Sequence, residues 1–165
     1  MTDRGALEAD VKGHPFLIGM SEHHIRLLAD CAMLTHFAAE TTIFSQGDTA
    51  NRFYLIQQGA VVLESDTAGG KVEIDRIHDG DLLGWSWLFP PYVWHFTARA
   101  VEPTSAIFFY GTVLRDYCEK DHSLGFELFK RMSEVMTRRL QSARARLLSA
   151  YSTHGIKPAP PRPGR

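Results

Sequence analysis

Residues 43–63 read IFSQGDTANRFYLIQQGAVVL, and this stretch decides the fold. Short β-branched and aromatic runs, Thr42–Phe44, Phe53–Ile56 and Val61–Leu63, are separated by a Gly47-Asp48 turn and a Gln57-Gln58-Gly59 turn. Such runs bounded by glycine and aspartate are strand and turn signals. The same rhythm continues outward through Val72–Ile77, Phe96–Val101 and Ala106–Tyr110, with turns at Gly69-Gly70 and at Asp79-Gly80-Asp81. No helical stretch separates these strands, so parallel βαβ units are not expected and a β-sandwich or barrel is predicted.

The flanks have a different period. Residues 1–13 are polar and read as a loosely ordered segment. Ser21 is placed to cap a helix reaching Cys31, with Ile25, Leu28 and Ala29 on one face. Residues 14–111 thus form an N-terminal helix and a β domain. Residues 112–151 read as a short helix, Thr112 to Lys120, then a longer one from Ser123. The longer helix carries an apolar seam of Phe129, Met132, Met136, Leu140, Ala143 and Leu147. A seam so long and narrow favours pairing with a second copy of the same helix. Residues 152–165, with the proline-rich KPAPPRPGR, read as a disordered tail.

Composition bounds the chemistry. The chain has 165 residues, 44% hydrophobic and 22% charged, which fits one globular domain with appendages. Its formal net charge of -1 supplies no global field for nucleic acid. The longest uncharged stretches, Leu82–Trp94 and Thr104–Leu114, are too short or too interrupted to span a bilayer. The charged N-terminus lacks the apolar core of a secretory signal. Two cysteines, Cys31 and Cys118, cannot complete a four-thiolate site and read as small reduced groups in a cytoplasmic protein. The eight histidines show no metal-ligand spacing, so no metal and no cofactor is predicted. Neither a nucleophile elbow nor a P-loop occurs, and no enzyme activity is predicted.

The strings Ile43–Asp48, Phe53–Gly59 and Gly80-Asp81-Leu82-Leu83-Gly84, in this order between flanking helices, resemble the cyclic-nucleotide-binding domain of Crp/Fnr-type regulators. The resemblance covers Phe16 to Tyr151. It implies a small antiparallel β-roll, jelly-roll-like, followed by a long dimerisation helix. It also implies a phosphate-binding cassette, in which a Gly-Glu pair and a later arginine hold ribose and cyclic phosphate. Here the cassette departs from that pattern. Trp85 stands where the acid belongs, and Trp94 or His95 falls at the phosphate arginine. Losing two charge-assisted contacts weakens binding by about two to four powers of ten.

All three tryptophans lie between residues 85 and 94, with Phe89, Tyr92 and Phe96 close by. One reading makes these rings core that fills the site. Another makes them a pocket for a flatter, less charged effector, lined by Leu83, Gly84, Trp85, Ser86, Trp94, His95 and Phe96 with His95 and Ser86 its polar contacts, while Arg99 is a candidate substitute for the phosphate arginine. A third retains cyclic nucleotide through rearranged contacts. The resemblance further implies a sensory domain that stands alone, since the residues after Tyr151 cannot build a helix-turn-helix, so sequence-specific DNA binding is not expected. Lys130, Arg131, Arg138, Arg139, Arg144 and Arg146 make the last helix locally basic, as a solvated face, as a strip for an acidic protein partner, or as a weak nucleic-acid contact helped by Arg162 and Arg165.

Overall fold

A computed structural model describes residues 4–154. The N-terminal segment read as loose is helical where described: α1 spans Arg4–Gly13. Its sequence contains no proline, and Val11 is fully buried. One apolar anchor therefore holds a polar helix that composition alone leaves unassigned. Helix α2 spans Glu22–Cys31, and the Ser21 side chain accepts from the His24 N–H at its start, as the cap signal predicts.

Eight antiparallel strands follow: β1 (Ala32–Phe37), β2 (Thr42–Phe44), β3 (Arg52–Gln58), β4 (Val61–Thr67), β5 (Gly70–Ile77), β6 (Leu82–Leu83), β7 (Thr97–Ala100) and β8 (Thr104–Tyr110). They form two four-stranded sheets, ordered β1-β8-β3-β6 and β2-β7-β4-β5. This is the antiparallel β-roll that the family resemblance implies. Between the sheets lie Tyr54, Ile56, Val61, Leu63, Ile77, Leu83, Ala98, Ala106 and Phe108, with Phe37, Ile43, Phe44 and Phe96 at the margin. Strand β3 is buried on both faces, which is why Phe53–Ile56 reads as an unbroken apolar run. Tyr54 and Ile56 face the other sheet, while the Phe53 ring meets Phe16 at 5.8 Å and Phe109 at 5.0 Å. The Gln57-Gln58-Gly59 turn needs its glycine: φ is +106°, and a Cβ would sit 2.5 Å from Thr104 Oγ1.

Helix α3 spans Gly111–Lys120 and α4 spans His122–His154. The chain divides into two compact units, one ending at Leu128 and the other starting at Phe129. In the second unit α4 continues three residues into the segment read as tail, since Ser152, Thr153 and His154 are helical; Ser152 and Thr153 hydroxyls bond the carbonyls four residues back. Residues 155–165, the rest of that segment, lie outside the described residues, as do residues 1–3. Along α4 the predicted seam divides. Met132 and Val135 are buried, whereas Phe129, Leu140 and Leu147 are exposed. The seam positions Phe129, Leu140, Ala143 and Leu147 are exposed and Met136 is half-buried; a heptad spacing through them passes the half-buried Ser133 in place of the buried Met132.

Candidate functional site

The site is built from the segment between β6 and β7, which the roll pins at both ends. At its start Leu83 pairs with Tyr54 across the β6–β3 ladder and is buried. Gly84 then turns with φ +86°, and a Cβ there would lie 2.7 Å from two carbons of the Trp94 ring. Only glycine permits both that backbone and that approach. At the other end, the N–H of Trp94 donates to the Asp48 carbonyl at 2.9 Å, and the Gly47 N–H donates to the Trp94 carbonyl at 2.8 Å. The Ala50 N–H donates to the Tyr92 carbonyl at 2.7 Å. The Gly47-Asp48 turn therefore fixes the far arm of the segment as well.

Aromatic packing fills the space between. The Trp94 indole stacks on Phe44 at 3.8 Å between ring centres and 10° between planes. Phe44 in turn lies 6.4 Å from Tyr54. Trp94 is 5% exposed, so its ring belongs to the interior of the roll's mouth. Trp87, in a short 3-10 turn over Ser86–Leu88, is fully buried, 6.0 Å from Phe53. From α3, Arg115 donates to the Trp87 carbonyl and stacks its guanidinium 4.6 Å from the Tyr92 ring. A cation over an aromatic face and a charged donor on a carbonyl both hold this segment to α3.

Gly84 and Trp94 thus meet beside the buried Leu83, and Phe96 packs at the margin of the same core. Trp85 and Ser86 are half-buried. His95 points to solvent. Arg99 is committed elsewhere: its Nη2 reaches Glu64 Oε1 at 2.5 Å, its Nε the same oxygen at 3.2 Å, and its Nη1 Glu40 Oε2 at 2.7 Å. Two carboxylates neutralise it, so Arg99 itself is not free to hold a phosphate.

Sequence reading passed over Arg52. Its signal was present in Asn51-Arg52-Phe53-Tyr54, because strand alternation puts position 52 on the side of Tyr54 and Ile56, where a charge is unusual. The guanidinium lies 5.0 Å from the Phe108 ring centre and 5.4 Å from that of Tyr110. Burial pushes the neighbouring Tyr54 hydroxyl up, and the Arg52 beside it works the other way.

A second polar cluster resembles a catalytic triad in composition only. His24 Nε2 lies 3.1 Å from Ser123 Oγ and 3.3 Å from Asp121 Oδ2. A triad needs the acid on the opposite ring nitrogen from the serine, so that the base keeps the correct tautomer. Here both crowd one nitrogen, and Asp121 Oδ1 accepts from the Ser123 hydroxyl and from the N–H groups of Ser123 and Leu124 as the cap of α4. Those donors hold the Asp121 carboxyl down at about 2. The cysteines are equally committed to structure, with burial pushing Cys31 up to about 12. Among the described residues no group of three or more His, Cys, Asp or Glu side chains is arranged to hold a metal. No helix among them is long and apolar enough to cross a membrane.

A β-roll with a turn-rich segment between its sixth and seventh strands, followed along the chain by a long helix, is the architecture of cyclic nucleotide-binding-like domains. The cyclic nucleotide-binding domain profile matches residues 34–121. The chain belongs to that family. Solved structures share the fold. A Geobacter metallireducens protein named for cyclic nucleotide binding superposes with a TM-score of 0.72 at 22% identity, covering 85% of this chain and 99% of the other. A cyclic nucleotide-binding domain from Methylobacillus flagellatus gives 0.75 at 18% identity, covering 89% and 83%. The sensor domain of the transcriptional regulator DNR from Pseudomonas aeruginosa gives 0.68 at 17% identity, covering 86% and 95%. No curated protein matches the sequence.

Proposed function

We propose that this chain is a non-enzymatic regulatory domain that senses an effector other than cyclic AMP or cyclic GMP, and that it works as a homodimer through α4. The observation that carries the first part is the Trp94 indole, stacked on Phe44 and lying against Gly84 in the segment where the family holds its nucleotide. Trp85 in place of the acid and a fully paired Arg99 support it. The exposed Phe129, Leu140 and Leu147, in heptad register on α4, support the second part. The basic side of α4 is the candidate contact for an acidic partner protein. Calorimetric titration with cyclic AMP and then cyclic GMP tests the nucleotide question. No heat is expected up to about millimolar ligand, given the two lost anchors. Micromolar binding of either nucleotide overturns the reading.

The burial of Trp94 also favours a second reading, an interaction domain whose mouth is permanently filled by its own side chain. Trp94→Ala separates the two. A sensor whose mouth opens gains room for small apolar ligands, which then raise its melting temperature. A scaffold merely loses stability.

A further inference from the structure

Arg52 is the cation at the roll's mouth without an anion. Its Nε is buried and has no hydrogen-bond partner. Among the described residues no carboxylate forms an ion pair with it. Two carboxylates claim Arg99, whereas Arg52 bonds the Tyr54 side chain and pairs with no carboxylate. A buried guanidinium N–H without an acceptor is costly, and proteins keep such groups where a ligand supplies what is missing.

The surroundings define that ligand. Arg52 lies between the Phe108 and Tyr110 rings, beside Tyr54, and its carbonyl is 3.8 Å from where a Cβ on Gly84 would be. It therefore adjoins the Phe44–Trp94 stack through Tyr54 and Gly84. We infer that Arg52 anchors the carboxylate of a flat aromatic ligand at this mouth, an inference that rests on the proposed sensing function and names its ligand class. The Nε–H and one Nη–H form a planar fork that matches the two oxygens of a carboxylate. The neighbouring rings offer stacking faces to an aryl body and no further charge. Of the two rings covering the guanidinium, Tyr110 is the more exposed, so the ligand takes the place of the Tyr110 ring. Tyr110 is the residue at which β8 passes into α3, so its displacement is felt at the start of that helix.

The test is calorimetric titration of the full chain with 2-naphthoate and, as the uncharged counterpart of the same shape, 2-naphthamide. Arg52→Gln and Arg52→Lys are run beside the parent, each checked for the parent's circular dichroism spectrum. The expected result is saturable 2-naphthoate binding, weakened at least tenfold by Arg52→Gln and less by Arg52→Lys, which keeps the charge and loses the fork. The amide should bind at least tenfold more weakly to the parent. Equal binding of acid and amide, or unchanged 2-naphthoate binding in folded Arg52→Gln, overturns the inference. Absence of 2-naphthoate heat at millimolar concentration, with cyclic nucleotides also silent, overturns it while leaving the proposed function in place. Tight cyclic AMP binding indifferent to Arg52→Gln overturns both.

Discussion

At Gly84 a single hydrogen atom decides whether the mouth of the roll can close. The left-handed φ and the 2.7 Å approach of the Trp94 ring are separate penalties for any side chain there. Gly84→Ala is expected to destabilise the fold by about 1–3 kcal/mol from backbone strain, with a steric contribution added. Denaturant titration of Gly84→Ala, Trp94→Ala and the double variant divides the two. The double variant should lose less than the sum of the singles, because removing the indole frees the space but not the backbone. Strict additivity would show that the ring does not press on position 84. The glycine itself was legible in Gly80-Asp81-Leu82-Leu83-Gly84, where the family resemblance puts a turn. Its partner was not, since nothing in the order of Trp85, Trp87 and Trp94 says which indole folds back over it. Arg99 and Arg52 make the same point. In the sequence both are arginines at strand positions, and only the cross-strand neighbour, Glu64 for one and Phe108 for the other, distinguishes a neutralised charge from an open one.

Among elements, the strands were the most legible because their signal is local: a short β-branched run and a turn residue every ten residues or so. The two strands that escaped are β1, which follows α2 without a turn residue between, and β6, whose two residues carry no period. Helix α1 escaped because one buried valine does not make an amphipathic pattern. On α4 the existence of the helix was plain and its faces were not. Met132 and Ser133 are adjacent in sequence, and an apolar seam drawn through methionine follows hydrophobicity, whereas the heptad spacing passes through the half-buried serine. The two residues allow a direct test by sedimentation and thermal unfolding. Leu140→Glu should shift the protein towards monomer and leave the unfolding of the β-roll unchanged. Met132→Ala should lower folding stability by about 2–5 kcal/mol, as for other buried methionines cut back to alanine. Loss of association in Met132→Ala, with Leu140→Glu still dimeric, would move the seam back to the methionine.

For the whole molecule, His14 and Asp121 both contribute to the response to acid. His14 is buried, with Nε2 against the Ile56 carbonyl at 2.9 Å and Nδ1 accepting from the Phe16 N–H at 3.2 Å. Burial lowers its pKa below the ordinary 6.5, so the folded state prefers the neutral ring. Its contribution is complete above 6.5 and is lost as pH falls below that, because the unfolded chain takes up the proton first. The Asp121 carboxyl, held at about 2 against an ordinary 3.8, contributes fully above 3.8 and loses its contribution as pH falls towards 2. Melting temperature against pH should therefore fall in two stages. His14→Gln should remove the upper stage and Asp121→Asn the lower, and a single stage untouched by either substitution contradicts this assignment. The placing of all three tryptophans in the segment between β6 and β7 has a practical corollary. Every indole photon the protein emits comes from that one segment, so its intrinsic fluorescence is a label-free reporter of whether the mouth is shut. With Trp87 and Trp94 shielded from water, the emission of the resting protein should lie to the blue, and any effector that lifts Trp94 from Phe44 should announce itself as a shift to the red.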